Sequence, residues 1–176
     1  MKKDKWIIKA FLMTFFIALI FNTASNLIID NSNYIALIIL AIIFISLGIL
    51  FDVIGTSILT ASEASFHAKS SRKIKGSKES VYLIKNSDKI ASICNDVIGD
   101  ICGIVSGSVV AMLAIYLSTT TKISLIICSL LLSSLISSLT VGGKAIGKKF
   151  AIKNADSIVE RVGKVISIFK KWLFIL

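Results

Sequence analysis

The chain has no proline, one histidine, and half as many acidic residues (10) as basic ones (20). A single histidine leaves no nucleophile–base pair. No metalloprotease spacing or Gly-rich phosphate loop occurs either, so an enzyme is the least expected class. The three cysteines, Cys94, Cys102 and Cys128, form no CxxC pair and have no histidine at ligand spacing. They read as small apolar fillers. Charge is also scarce, at 17% of residues, where a soluble domain carries about 25%.

Apolar residues fill the gap, at 55% of 176 residues with a mean hydropathy of +0.87. A disordered chain needs low hydrophobicity. A soluble globule of this size could not hide so much apolar surface. The expected fold class is therefore all-α: a polytopic integral membrane protein of about four transmembrane helices plus juxtamembrane amphipathic helices.

A spanning helix needs about 20 predominantly apolar residues. Residues 10–29, 34–51 (continuing to Ser62), 90–117 and 123–143 qualify. Turns are expected at Asp30–Asn33 and Ser118–Lys122. With four spans, the N-terminus, the 67–89 loop and the C-terminal segment share one side. Every Lys and Arg except Lys122 falls on that side. The positive-inside rule makes it cytoplasmic, and the chain is expected in the cell membrane with both termini inside. This placement also accounts for the net charge of +10. No motif interleaves aromatic and basic residues, so no nucleic-acid partner is expected. Basic residues before an apolar run also describe a signal peptide, with Thr23 and Ser25 as a weak cleavage pair. The run continues to Ile29, so residues 1–33 read as an extra transmembrane helix, an uncleaved anchor.

Residues 149–176 carry apolar side chains in steps of three and four, from Ile152 to Trp172 and Leu173. Lys153, Arg161, Lys164, Lys170 and Lys171 lie on the opposite face. That pattern suits a helix in the membrane interface or packed on the protein's own spans. Residues 79–90 form a weaker amphipathic segment after a flexible basic stretch, Lys69–Lys78. His67 reads as a solvated edge residue.

Carboxylates inside apolar segments are the informative polar groups, because burying one costs several kcal/mol. Asp52, Thr56, Thr60 and Glu63 are spaced by four, four and three, which places them on one helix face. Ser92, Asn95, Asp96, Gly99, Asp100, Gly103, Ser106 and Gly107 form a second stripe. Gly103 and Gly107 are a small-xxx-small pair that allows close helix approach. Ser129, Ser133 and Ser137 form a third. Such oxygens suit hard cations; they also suit helix-to-helix hydrogen bonding. The carboxylate stripes, with Glu63 and Asp96, are taken as a candidate cation site.

The run Thr56-Ser-Ile-Leu-Thr60-Ala-Ser-Glu63-Ala64 resembles the Ser-x-x-Glu-x-Ala signature of the first helix in the CNNM (cyclin-M)/CorB/CorC transmembrane domain. Asp88-Lys-Ile-Ala-Ser-Ile-Cys-Asn95-Asp96 resembles its second helix, where a Gly-Asn pair is usual and Cys94 stands for the glycine. Gly143-Lys-Ala-Ile-Gly147-Lys148 resembles its Gly-Glu-x-x-Pro-Lys motif, with Lys144 for the glutamate and Gly147 for the proline. The order matches across residues 34–176. The resemblance implies a homodimeric transporter of divalent cations through a polar site between three helices. Mg²⁺ is the expected ion, with Co²⁺ or Mn²⁺ as variants and Na⁺ as a coupling ion. It implicates Thr56, Thr60, Asn95 and Gly143 as ion ligands. It also implies a transmembrane core without the cytosolic CBS-pair module, so a separate cytosolic regulatory protein is an expected partner. The substitutions Lys144 and Gly147 favour the alternative, a non-transporting partner or regulatory protein of the same descent. A small lytic, holin-like protein is the third reading.

Overall fold

A computed structural model describes residues 2–29 and 33–173, with the side chains of 2–5, 7, 28, 29 and 170–173 excepted. Among the described residues the regular structure is all helical. The helices are α1 (Lys2–Ile29), α2 (Tyr34–Thr60), α3 (Glu63–Ser71), α4 (Ser77–Lys85), α5 (Ser87–Ser92), α6 (Gly99–Thr121), α7 (Leu125–Lys153) and α8 (Ala155–Leu173). A π-helical turn, Ile93–Ile98, joins α5 to α6. Four stretches are long and apolar enough to cross a membrane: Ile8–Leu27, Tyr34–Thr60, Ser87–Thr121 and Leu125–Lys153. They coincide with the four runs expected from hydropathy. The turn expected between Ile29 and Asn33, and the place of Trp172 on α8, lie outside the described residues.

The chain divides into two compact units. One comprises residues 1–50 and 96–144, the other residues 51–95 and 145–176. In the first, α1 packs on α6. Leu37, Leu40, Ala41 and Phe44 of α2 share a core with Ile101, Cys102, Val105, Val109 and Leu113 of α6. The close approach there is at Gly48, where a Cβ would lie 3.3 Å from Cys102 Cβ and 3.4 Å from the Gly99 carbonyl oxygen. The expected Gly103/Gly107 contact does not form, since a Cβ at either would meet nothing within 4 Å. Instead these glycines line an open cavity of about 300 Å³ with Ser106, Ser129, Ser133 and Ser137.

In the second unit α4 packs against α3 and α8, around a core of Ile58, Phe66, Leu83, Ile84 and Val159. Gly76 has φ +84° and lies against the backbone of Gly163 and Lys164. The Ser80 hydroxyl, fully buried, lies 3.0 Å from the Gly76 carbonyl oxygen and 3.1 Å from that of Val159. Having one proton, it donates to one of them at a time. The stretch Lys69–Lys78 is therefore held against α8 at Gly76, while residues 71–75 within it are exposed. Glu160 of α8 accepts from Lys164 Nζ at 2.7 Å and from Lys69 Nζ of α3 at 2.6 Å. These two charged donors, Lys164 first, pull its carboxyl down to about 2.

Helix ends differ from the hydropathy reading. The α6 helix continues to Thr121, and the hydroxyls of Ser118, Thr119, Thr120 and Thr121 fold back onto carbonyls of the preceding turn. The turn therefore falls at Lys122, φ 58°. Within the expected helix 149–176, the described residues divide at Asn154, between the end of α7 and the start of α8. The backbone bonds run on across it, from Asn154 N–H to the Phe150 carbonyl at 3.1 Å and from Ile158 N–H to the Asn154 carbonyl at 3.0 Å, and the Asn154 side chain also donates to Phe150 at 3.0 Å.

Candidate functional site

Three buried side-chain oxygens among the described residues lack a hydrogen-bond partner: Ser25 Oγ, Asp52 Oδ2 and Asn95 Oδ1. An orphaned buried acceptor costs about 1–3 kcal/mol. Such atoms call for a physical reason, an ion being one. Ser25 is on α1, in the first unit. Asp52 and Asn95 both belong to the second unit, and Gly55 connects them. Asp52 and Gly55 are three residues apart on α2 and share a face. The Asn95 amide lies where a Cβ on residue 55 would stand, with Cys94 Cβ 3.1 Å from the same point. Glycine at 55 is thus what admits the Asn95 oxygen to the α2 face. Asn95 itself sits in the π-helical turn. Turns of this type widen the helix by one residue and recur at functional sites.

Asp52 is 3% exposed, although its helix is among the most apolar segments of the chain. Its Oδ1 lies 3.8 Å from Nζ of Lys148, a side chain of α7 that is half exposed. That separation exceeds the 2.7–2.9 Å of a charge-assisted hydrogen bond. The pair is therefore an electrostatic contact, and Oδ2 is left with none. Thr56, one turn along from Asp52, is half-buried on the same face. Ser57, fully buried, donates to the Val53 carbonyl at 2.8 Å and reaches the Ala151 carbonyl of α7 at 3.5 Å.

The remaining residues singled out in the sequence are placed otherwise. Thr60 is exposed, and its hydroxyl donates to the Thr56 carbonyl at 2.9 Å. Glu63 is not on the helix of Asp52, Thr56 and Thr60, so the expected four-residue face is cut to three. The chain leaves α2 after Thr60 and passes through Ser62 in an extended conformation. The Ser62 amide donates to Asp156 Oδ1 at 2.9 Å, and Glu63 opens α3. Glu63 is exposed and faces His67 Nε2 at 3.2 Å. Asp96 and Gly143 belong to the first unit. Asp96 is exposed, and Gly143 packs against the Ile49 side chain. Lys144 stands 3.7 Å from Asp100 in that unit and is largely buried.

No protein-family model matches the chain, nor does any curated protein or solved structure. The reading of the site therefore rests on its own chemistry. Among the described residues no three His, Cys, Asp or Glu side chains converge as a metal cluster. The arrangement in the second unit offers one carboxylate, one amide oxygen and a hydroxyl. Such a set suits a hard, partly hydrated cation; soft-metal or redox sites need other donors. The motif order gives Asn95 and Thr56 as ligands and Lys148 as the motif lysine, with no role at Asp52. Asp52 stands in a stripe outside the ligand set, and Gly55 is not singled out by the sequence. The signal available for Asp52 was its charge inside a long apolar run.

Proposed function

We propose that this chain is a multi-pass protein of the cell membrane that moves divalent cations, Mg²⁺ foremost, past Asp52, Thr56 and Asn95. The observation that carries the reading is the pair of orphaned buried oxygens, Asp52 Oδ2 on α2 and Asn95 Oδ1 against Gly55, three residues along that helix. Mg²⁺ takes oxygen ligands and keeps several waters, so one carboxylate and two neutral oxygens form a reasonable transit site. The CNNM/CorB/CorC resemblance supports the same reading and adds homodimerisation, a separate cytosolic regulator, and Co²⁺, Mn²⁺ or coupled Na⁺ as further ions. The charge distribution supports cytoplasmic termini.

Reconstitution in proteoliposomes carrying an Mg²⁺-sensitive dye tests the proposal. Wild type conducts, whereas Asn95→Ala and Asp52→Asn lose flux while remaining monodisperse. Undiminished flux in both variants refutes it. A second reading, a non-transporting partner protein, is favoured by Lys148, whose ammonium already neutralises Asp52 at 3.8 Å. Absence of flux for Mg²⁺, Mn²⁺, Co²⁺ and Na⁺, with co-purification of another membrane protein, supports that reading instead.

A further inference from the structure

The position of Lys148 deepens the cation reading and rests on it. We infer that Lys148 is a tethered competitor for the cation site, and that its ammonium must leave Asp52 before a divalent ion can take full hold there. Three observations lead to this. Asp52 is almost wholly buried, and the cation within reach of its carboxylate is Lys148 Nζ at 3.8 Å. The contact is too long for a hydrogen bond, so the ammonium compensates charge without saturating the carboxylate, and Oδ2 stays open. The Lys148 side chain is 53% exposed against 4% for Asp52. Lysine has a flexible four-carbon stem and a strongly hydrated head. Its outward swing is therefore sterically open.

Charge counting explains what the competitor does. With Lys148 in place the Asp52 site is neutral, and a divalent ion entering it meets a like charge at close range. With Lys148 withdrawn the site carries one negative charge. Ion entry and lysine departure are thus coupled, and each ion admitted displaces one tethered cation. The pair sets the threshold concentration for occupancy and disfavours weakly bound monovalent ions. Lys144 has no such role, because it faces Asp100 in the other unit.

The experiment compares Mg²⁺ dose–response curves in proteoliposomes for wild type, Lys148→Met, Lys148→Arg and Lys148→Met/Asp52→Asn. Lys148→Met keeps the length of the stem and removes the charge. It should lower the half-saturating Mg²⁺ concentration about tenfold, in the ordinary range of coupling between two binding events. Lys148→Arg, which keeps the charge, should restore the wild-type value. The double variant should be inactive. Flux that emerges only in Lys148→Met also supports the inference. Wild-type flux with an unchanged or raised half-saturation in Lys148→Met overturns it and leaves the cation reading standing. No flux in any variant overturns both.

Discussion

Replacing Gly55 by alanine sets two effects of known size against each other. In a helix interior, Gly→Ala gains roughly 0.5–1 kcal/mol from reduced backbone entropy in the unfolded chain. Here the new methyl would overlap the Asn95 amide and stand 3.1 Å from Cys94 Cβ. Overpacking of this kind costs about 1–3 kcal/mol. Two outcomes are open to the molecule, and both remove the site. If the π-helical turn holds, the net change lies between about zero and a loss of about 2.5 kcal/mol. If the Asn95 side chain rotates away, stability barely changes but its oxygen leaves the α2 face. Mg²⁺ flux should therefore fall at least tenfold in either case, with thermal unfolding in detergent distinguishing them. Gly103→Ala and Gly107→Ala are the controls, since a Cβ there meets nothing within 4 Å. Both should gain up to about 1 kcal/mol and keep full flux. A Gly55→Ala protein with wild-type flux and equal or higher stability would refute the packing argument and the site built on it.

Four other outcomes follow from particular contacts. Glu160→Gln removes the shared acceptor of Lys69 and Lys164 and should destabilise the second unit by about 1 kcal/mol, kept small by partial exposure. Because the Glu160 carboxyl is depressed to about 2, its stabilisation is complete above pH 4.5 and lost as pH falls toward 2; an acid melt of wild type should show this loss and Glu160→Gln should not. Gly163→Ala drives a methyl into Ser80 and the Gly76 carbonyl and should cost about 1–3 kcal/mol, read by thermal melting. Thr60→Ala should reduce Mg²⁺ flux less than Asn95→Ala, because the Thr60 hydroxyl is spent on its own helix; equal losses would restore Thr60 as a ligand.

Local and additive properties were legible without coordinates. Hydropathy sums along the chain, so the four long apolar helices could be counted before any contact was known. Basic residues concentrate in three segments, and the amphipathic α8 follows from a spacing of three and four. The ends of these helices were less legible. That α6 continues through Ser118–Thr121, and that α7 and α8 divide at Asn154, does not follow from hydropathy, which scores composition and not backbone geometry.

The candidate site required the folded chain. Thr56 and Asn95 could be suspected from motif order, but spacing could not reveal the π-helical turn that carries Asn95. It also placed Glu63 on the face of Asp52, which the break at Ser62 prevents. The meeting of Asn95 with Gly55, and of Lys148 with Asp52, joins segments far apart in sequence. Composition along the chain established a highly apolar helical protein whose basic charge lies in a few segments, because transfer energy and charge belong to each residue separately. Which polar atoms are buried without a partner depends on distances between helices, and only packing sets those.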